Sequence, residues 1–209
     1  MKMFKTLRRY LICIVAVSTV LPASANSLEG MPAGDYELDL THASVLWKVS
    51  HLGFSTYIGR FNNFSADLAL DTEDFAKSSV SVDIKVDSLD TDYPFPEKED
   101  FNKKLSGSWF KSAEHPSITF VSKEVSALQD GKNFSIVGDL TLMGQTHPVT
   151  LTAVLNGATP NHPLLKKPLV GFSATTKIDR TLWGLSNYAP NLGAEVRIEI
   201  EGEFLQKEQ

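Results

Sequence analysis

Val80-Ser81-Val82-Asp83-Ile84-Lys85-Val86-Asp87 alternates apolar and polar residues without a break. Successive side chains on a strand point to opposite faces, so this octet has one apolar face and one solvated face. The same pattern closes the chain. Val196, Ile198, Ile200 and Phe204 share one parity, while Glu195, Arg197, Glu199, Glu201 and Glu203 share the other. Eight or nine such segments lie between Ala43 and Leu205. Long half-buried strands joined mainly by short polar turns predict an all-β protein, either a closed antiparallel barrel or a sandwich. Function then depends on what the apolar faces cover.

The pattern places strands over Asp35–Leu40, Ala43–Leu52, Tyr57–Leu70, Ser79–Leu89, Ser117–Val125, Phe134–Met143, His147–Leu155, Leu169–Ile178 and Ala194–Leu205. In the third of these the apolar parity shifts between Phe61 and Phe64, which predicts a bulge or bend near Asn62-Asn63. Asp130-Gly131 has the composition of a hairpin turn. The stretch Asp90–Pro116 breaks the alternation. Tyr93-Pro94-Phe95-Pro96 cannot continue a hydrogen-bonded ladder, and Glu97–Leu105 reads as one short helix with Gly107 beyond its end. Phe101 and Leu105 would share its apolar face, suited to capping a barrel mouth. Two further irregular segments are a proline-containing loop at Asn156–Pro168 and the stretch Arg180–Asn191.

The first 25 residues read as a signal peptide: Lys2, Lys5, Arg8 and Arg9, then an apolar run from Leu11 to Leu21, then Ala23-Ser24-Ala25. Cleavage near Ala25 and export to the periplasm are the expectation, with residues 26–209 forming a single domain. The only cysteine, Cys13, falls in that leader, so the mature chain relies on its core and not on disulfides. The leader holds four of the 20 basic residues and none of the 25 acidic ones. What remains is 16 basic against 25 acidic residues, a net charge of −9. That balance argues against nucleic acid as a partner. No apolar run approaches the ~20 residues of a spanning helix, so no integral insertion by a helix is expected.

Catalytic signatures are sparse. The chain has no Gly-x-Ser-x-Gly elbow, Walker A loop or Gly-x-Gly-x-x-Gly fingerprint. His42, His51, His115, His147 and His162 show no metal-ligand spacing, and three of them precede proline. Asp83 and Asp87 flank Lys85 on a polar strand face, the ordinary dress of a solvated surface. No enzyme activity, metal or cofactor is expected on these grounds.

Candidate functional residues follow from inward parity instead. They are Val45, Trp47, Val49, His51, Phe61, Phe64, Leu68, Val82, Ile84, Phe120, Ile136, Leu140, Leu151, Phe172 and Ile198. In most β proteins such residues are plain core; in a barrel that encloses a lipid the core is the lining. His51 continues the inward parity of Val45, Trp47 and Val49, either as a buried imidazole paired with a neighbour or as a polar group at the end of a pocket. Arg180 and Lys167, beside Lys166, are further candidates for meeting a polar head.

Several stretches, taken in order, resemble the YceI family of polyisoprenoid-binding proteins. They are Val49-Ser50-His51-Leu52-Gly53 with Gly59-Arg60-Phe61, Val86–Thr91, Glu114–Phe120, Val137–Val149, Gly171–Ala174 and Val196–Gly202. The resemblance implies an eight-stranded antiparallel lipocalin-like barrel with a short capping helix. It also implies a periplasmic binding or carrier protein for an amphiphilic lipid, such as a quinone, a prenyl pyrophosphate or a fatty amide, and a homodimer as one arrangement. Asp92–Lys98 departs from the charged segment that many relatives carry there, which bears on head-group preference. Two other classes share these features: a small outer-membrane barrel, and an enzyme acting on a bound lipid with His51 or Arg180 as a participant.

Overall fold

The computed structural model describes residues 28–127 and 133–208; the predicted signal peptide and the Asp130-Gly131 turn lie outside them. The strand segments are β1 (Gly34–His51), β2 (Ser55–Phe61), β3 (Phe64–Leu70), β4 (Ser79–Lys85), β5 (Leu89–Asp90), β6 (Ser117–Ala127), β7 (Asn133–Leu142), β8 (Gln145–Thr159), β9 (Leu169–Asp179) and β10 (Leu192–Gln206). Every pairing is antiparallel, and β10 returns to pair with β1. The ring therefore runs β1-β3-β4-β6-β7-β8-β9-β10 and closes, an eight-stranded barrel. The β2 and β5 segments extend that wall at one end, where β2 pairs with the second half of β1 and β5 with β2. Of the two architectures open to the alternating pattern, the barrel is the one adopted, and closure leaves the principal strands no free edge.

The interruptions fall where side-chain parity changes. Asp35–Leu40 and Ala43–Leu52 are not separate strands but one, β1, with a register shift between Asp39 and Ala43. The predicted bend at Asn62-Asn63 separates β2 from β3, both partners of β1. The predicted strand Ser79–Leu89 is broken by a 3-10 turn at Val86–Ser88. β8 runs to Thr159 instead of ending at Leu155, which shortens the loop expected from Asn156.

The one short helix also differs in its bounds. Its α-helical turn, α1, covers Phe101–Lys104, and Asp100 caps it by accepting a hydrogen bond from the Lys103 N–H at 3.0 Å. A π-helical turn follows at Leu105–Trp109, so Gly107 lies within the turn and not beyond it. Asn102 pins the element to the barrel: its Oδ1 accepts from the Thr91 N–H and hydroxyl, and its Nδ2 donates to Asp90.

The segment before β1 shuts the opposite end. Met31 is buried, and the fully buried Tyr36 donates its hydroxyl to the Pro32 carbonyl at 2.7 Å. Burial raises the phenol pKa.

On the outer wall, the β1 register shift carries a small polar clasp. His42 Nδ1 lies 2.9 Å from Asp39 Oδ2 and 3.8 Å from a Glu203 carboxylate oxygen. Sequence spacing gave no metal-like group, yet these three side chains could gather their ligand atoms within 4.8 Å. The Asp39 oxygens are already engaged, one by Thr41 and one by His42. The hydrogen bond to Asp39, helped by Glu203, raises the His42 pKa, while bonds from Thr41 and then His42 lower that of Asp39. The raised histidine contributes stability in full below its unfolded value of about 6.5, and that contribution is lost as pH rises through the folded value. The lowered aspartate contributes above about 3.9, and its share is lost as pH falls through its folded value. The clasp is thus strongest between those limits. His42→Gln should lower the melting temperature at pH ~5 and leave it nearly unchanged at pH ~9; an equal effect at both pH values would contradict the clasp.

Candidate functional site

Eight apolar strand faces enclose more space than their side chains fill. The interior holds a cavity of about 670 Å³, within the ~300–1,000 Å³ range of ligand sites. All fifteen inward-parity residues named from the sequence lie on its wall. The lower part ends in a floor of phenylalanines. Phe75 and Phe134 lie 4.1 Å apart between ring centroids, Phe75 and Phe172 6.3 Å, and Phe172 and Phe204 6.3 Å. The upper part is roofed by the helical segment, with Phe101, Leu105, Trp109 and Phe110 on the cavity. Phe101 and Leu105 thus meet the interior together, as their spacing predicts.

Two strand glycines make room for the largest wall side chains. A Cβ on Gly59 would sit 2.2 Å from the Trp47 ring, and one on Gly138 would sit 2.4 Å from the Phe120 ring. Each ring lies flat across its neighbouring strand only because that strand has no side chain there. Tyr57 and Phe101 continue the aromatic wall from Trp47, at centroid distances of 6.1 and 6.3 Å. The Trp47 Nε1 is buried with no hydrogen-bond acceptor among the described residues. An unpaired buried donor costs about 1–3 kcal/mol. Covered as it is, this group is a tolerated defect of the wall and not an open donor for a ligand.

The mouth lies where β1 turns into β2. His51 is exposed there, which corrects the reading of a buried, partnered imidazole; its ring borders the cavity and has no hydrogen-bond partner among the described residues. Lys104, Tyr188 and Asn191 join it on the cavity border. Lys104 forms an ion pair with Glu99 at 2.5 Å, and that bond raises its pKa. None of these three was singled out by sequence. Lys104 is the last residue of a four-residue helix, between the core-facing Phe101 and Leu105, and the other two belong to an irregular segment with no periodicity to read.

Arg180 borders the cavity, but its guanidinium is committed elsewhere. It is 5% exposed. Nε donates to Gly193 O at 2.9 Å, Nη2 to Asn187 O at 2.9 Å and Leu192 O at 2.8 Å, and Nη1 to Leu185 O. It holds the 185–193 loop over the mouth from below. Burial lowers its pKa, yet guanidinium remains a cation in proteins. Trp183 anchors the other end of the same segment, with Nε1 donating to Leu140 O at 3.2 Å. Lys167 is not at the mouth at all. It precedes β9, whose first residue pairs with Leu205 near the closed end, whereas Ile178 pairs with Val196 near the mouth. The eleven residues of β9 put about 35 Å between Lys167 and Arg180. Lys167 instead pairs with Glu208 at 2.8 Å. Its expected head-group role is therefore withdrawn.

Arg180→Met would leave four carbonyls without their donors. Unfolding in urea should show a loss of about 3 kcal/mol or more, and Arg180→Lys, which cannot reproduce the planar fork, should recover only part of it. Unchanged stability in both variants would return Arg180 to the pool of free head-group cations.

The chain matches the family model for the YceI-like domain over residues 36–204. It is 33% identical over 190 residues to a UPF0312 protein of Vibrio parahaemolyticus, covering 90% of this chain and 94% of that one. Its fold is similar to the Campylobacter jejuni YCEI protein, at 27% identity and a TM-score of 0.64, over 77% of this chain and 91% of that one. It is also similar to a polyisoprenoid binding domain from Saccharophagus degradans, at 13% identity and a TM-score of 0.61, over 82% and 98% of the respective chains. At 13% that likeness speaks to the fold alone. Matched along most of its length, the chain belongs to the YceI-like domain family.

Proposed function

We propose that this protein binds and carries an isoprenoid-like or comparable amphiphilic lipid, with its tail in the barrel and its polar head at the mouth. The observation that carries the reading is the cavity itself: about 670 Å³, walled by aliphatic and aromatic side chains, closed by phenylalanines below and bordered by His51, Lys104, Tyr188 and Asn191 above. An amphiphile has the same polarity profile. The Saccharophagus degradans domain of the same fold, a polyisoprenoid binding domain, supports the assignment. Binding without turnover is the companion reading: among the described residues that line the cavity there is no paired nucleophile and base. Export to the periplasm, expected from the leader, belongs to the same proposal.

The outer-membrane alternative is opposed by the direction of the faces. A spanning barrel needs an apolar band outside. Here the apolar parity points in, and Glu195, Arg197, Glu201 and Lys177 are exposed on the outer wall. No helix among the described residues is long and apolar enough to cross a membrane either.

Size sets the ligand range. An apolar cavity of ~150 Å³ suffices for benzene, so this interior has room for roughly 25 carbon atoms, or about five isoprene units. At ~0.8 kcal/mol per buried carbon the gross gain is ~20 kcal/mol, near the ceiling for noncovalent affinity, before ordering costs are subtracted. A forty-carbon tail would leave its far end outside. In titrations with prenyl alcohols, affinity should climb with tail length to about five units and then level off; a steady climb to eight units would contradict the volume argument. Ala174 borders the cavity at mid-barrel. Ala174→Trp should fold normally, because its indole enters empty space, and should weaken uptake at least tenfold. Undiminished uptake by that variant would place the ligand elsewhere.

A further inference from the structure

We infer that the open end of the barrel is a docking rim for a lipid bilayer. The inference rests on the lipid-binding reading and adds the surface from which the ligand enters. Exposed large apolar side chains gather around the mouth: Phe54 is 90% exposed, Tyr188 72%, Leu52 52% and Phe95 46%. Leu52 and Tyr188 border the cavity themselves, so the rim is continuous with the lining.

Two segments of this rim carry no charge, while the third, which holds Phe95, is charged and sets the Lys104–Glu99 pair beside the mouth. The loop His51–Ser55 and the segment Gly184–Gly193 contain no Asp, Glu, Lys or Arg, in a chain in which 22% of residues are charged. The Leu52 N–H donates to Asn191 O at 2.9 Å, joining the two uncharged segments into one edge. Phe95 reaches the mouth through a chain of ring contacts, edge-on to Tyr93 at 6.1 Å and from Tyr93 to a tilted Phe101 at 5.2 Å. The Lys98 ammonium lies 4.2 Å from the Phe95 ring centroid. A long side chain of this kind can follow an aromatic into an interface while its charge stays in water.

Water is the wrong neighbour for the apolar tips of this edge, and the two uncharged loops have no charge to desolvate when they meet a headgroup layer. The bilayer is the occupant that matches the contents of the cavity. A tail passing directly between bilayer and barrel never crosses open water, where the burial that drives its uptake would be forfeited. The far pole offers no such path. Leu164 and Leu165 are exposed there, but they adjoin Lys166 and Lys167 and lie behind the phenylalanine floor.

The test is co-flotation of the full chain with phosphatidylcholine vesicles, paired with uptake of geranylgeraniol from detergent micelles. Phe54→Ser combined with Phe95→Ser removes the two rim side chains that do not border the cavity. The wild type should float with vesicles, with less than about twofold change between ~0.05 and ~0.5 M salt. The double variant should float at least tenfold less while taking up geranylgeraniol normally. Wild-type chain that stays off vesicles, or a variant that floats equally well, overturns the rim. So does a wild-type dimer in sedimentation that the double variant dissolves, since the edge would then serve a second copy. Uptake without vesicle binding removes the docking rim alone; vesicle binding without uptake removes the ligand reading alone.

Discussion

The ladder between β1 and β10 is the contact on which the rest depends. Residues 36–39 pair with 203–206, and 43–49 pair with 196–202. This pairing turns a sheet into a tube, and a tube of eight strands has a fixed bore. Apolar side chains that would seal a sandwich face one another here across a gap they cannot span. The void is therefore a consequence of strand number and closure, and the aromatic piles at its two ends decide its length.

Closure also separates the polar work from the apolar work. The inner faces carry almost no hydrogen-bonding demand, apart from the stranded Trp47 N–H. Polar groups with a role sit at the ends. At the mouth Arg180 supplies four donor contacts to carbonyls of the loop before β10 and of the first two residues of β10. A buried guanidinium surrounded by carbonyls is a costly device, and its return is a loop held in one place over an opening. The same loop supplies Tyr188 and Asn191 to the mouth, so the Arg180 cradle and the cavity mouth are parts of one construction.

The tube was legible because period-2 alternation is a direct record of which side chain faces which way. Val80 to Lys85 and Glu195 to Phe204 assign their own faces, and their inward residues reached the cavity wall; Val86, one rung further, is buried in a 3-10 turn and does not. What alternation cannot record is where a strand ends in space. Lys167 and Arg180 look like one basic neighbourhood only until β9 is seen to run the length of the barrel between them. The floor was equally hidden: Phe75 belongs to a turn, and its stacking on Phe134 joins distant parts of the chain. His51 had the right parity, but parity does not distinguish a buried position from the last rung before an opening.

The central claim is that the bore is occupied by a lipid tail. Native mass spectrometry of the folded protein tests it most directly. The account predicts one amphiphile per chain, released by organic solvent and replaced when a prenyl alcohol is added. A folded chain that shows the mass of the polypeptide alone, and still refuses prenyl alcohols, would contradict it.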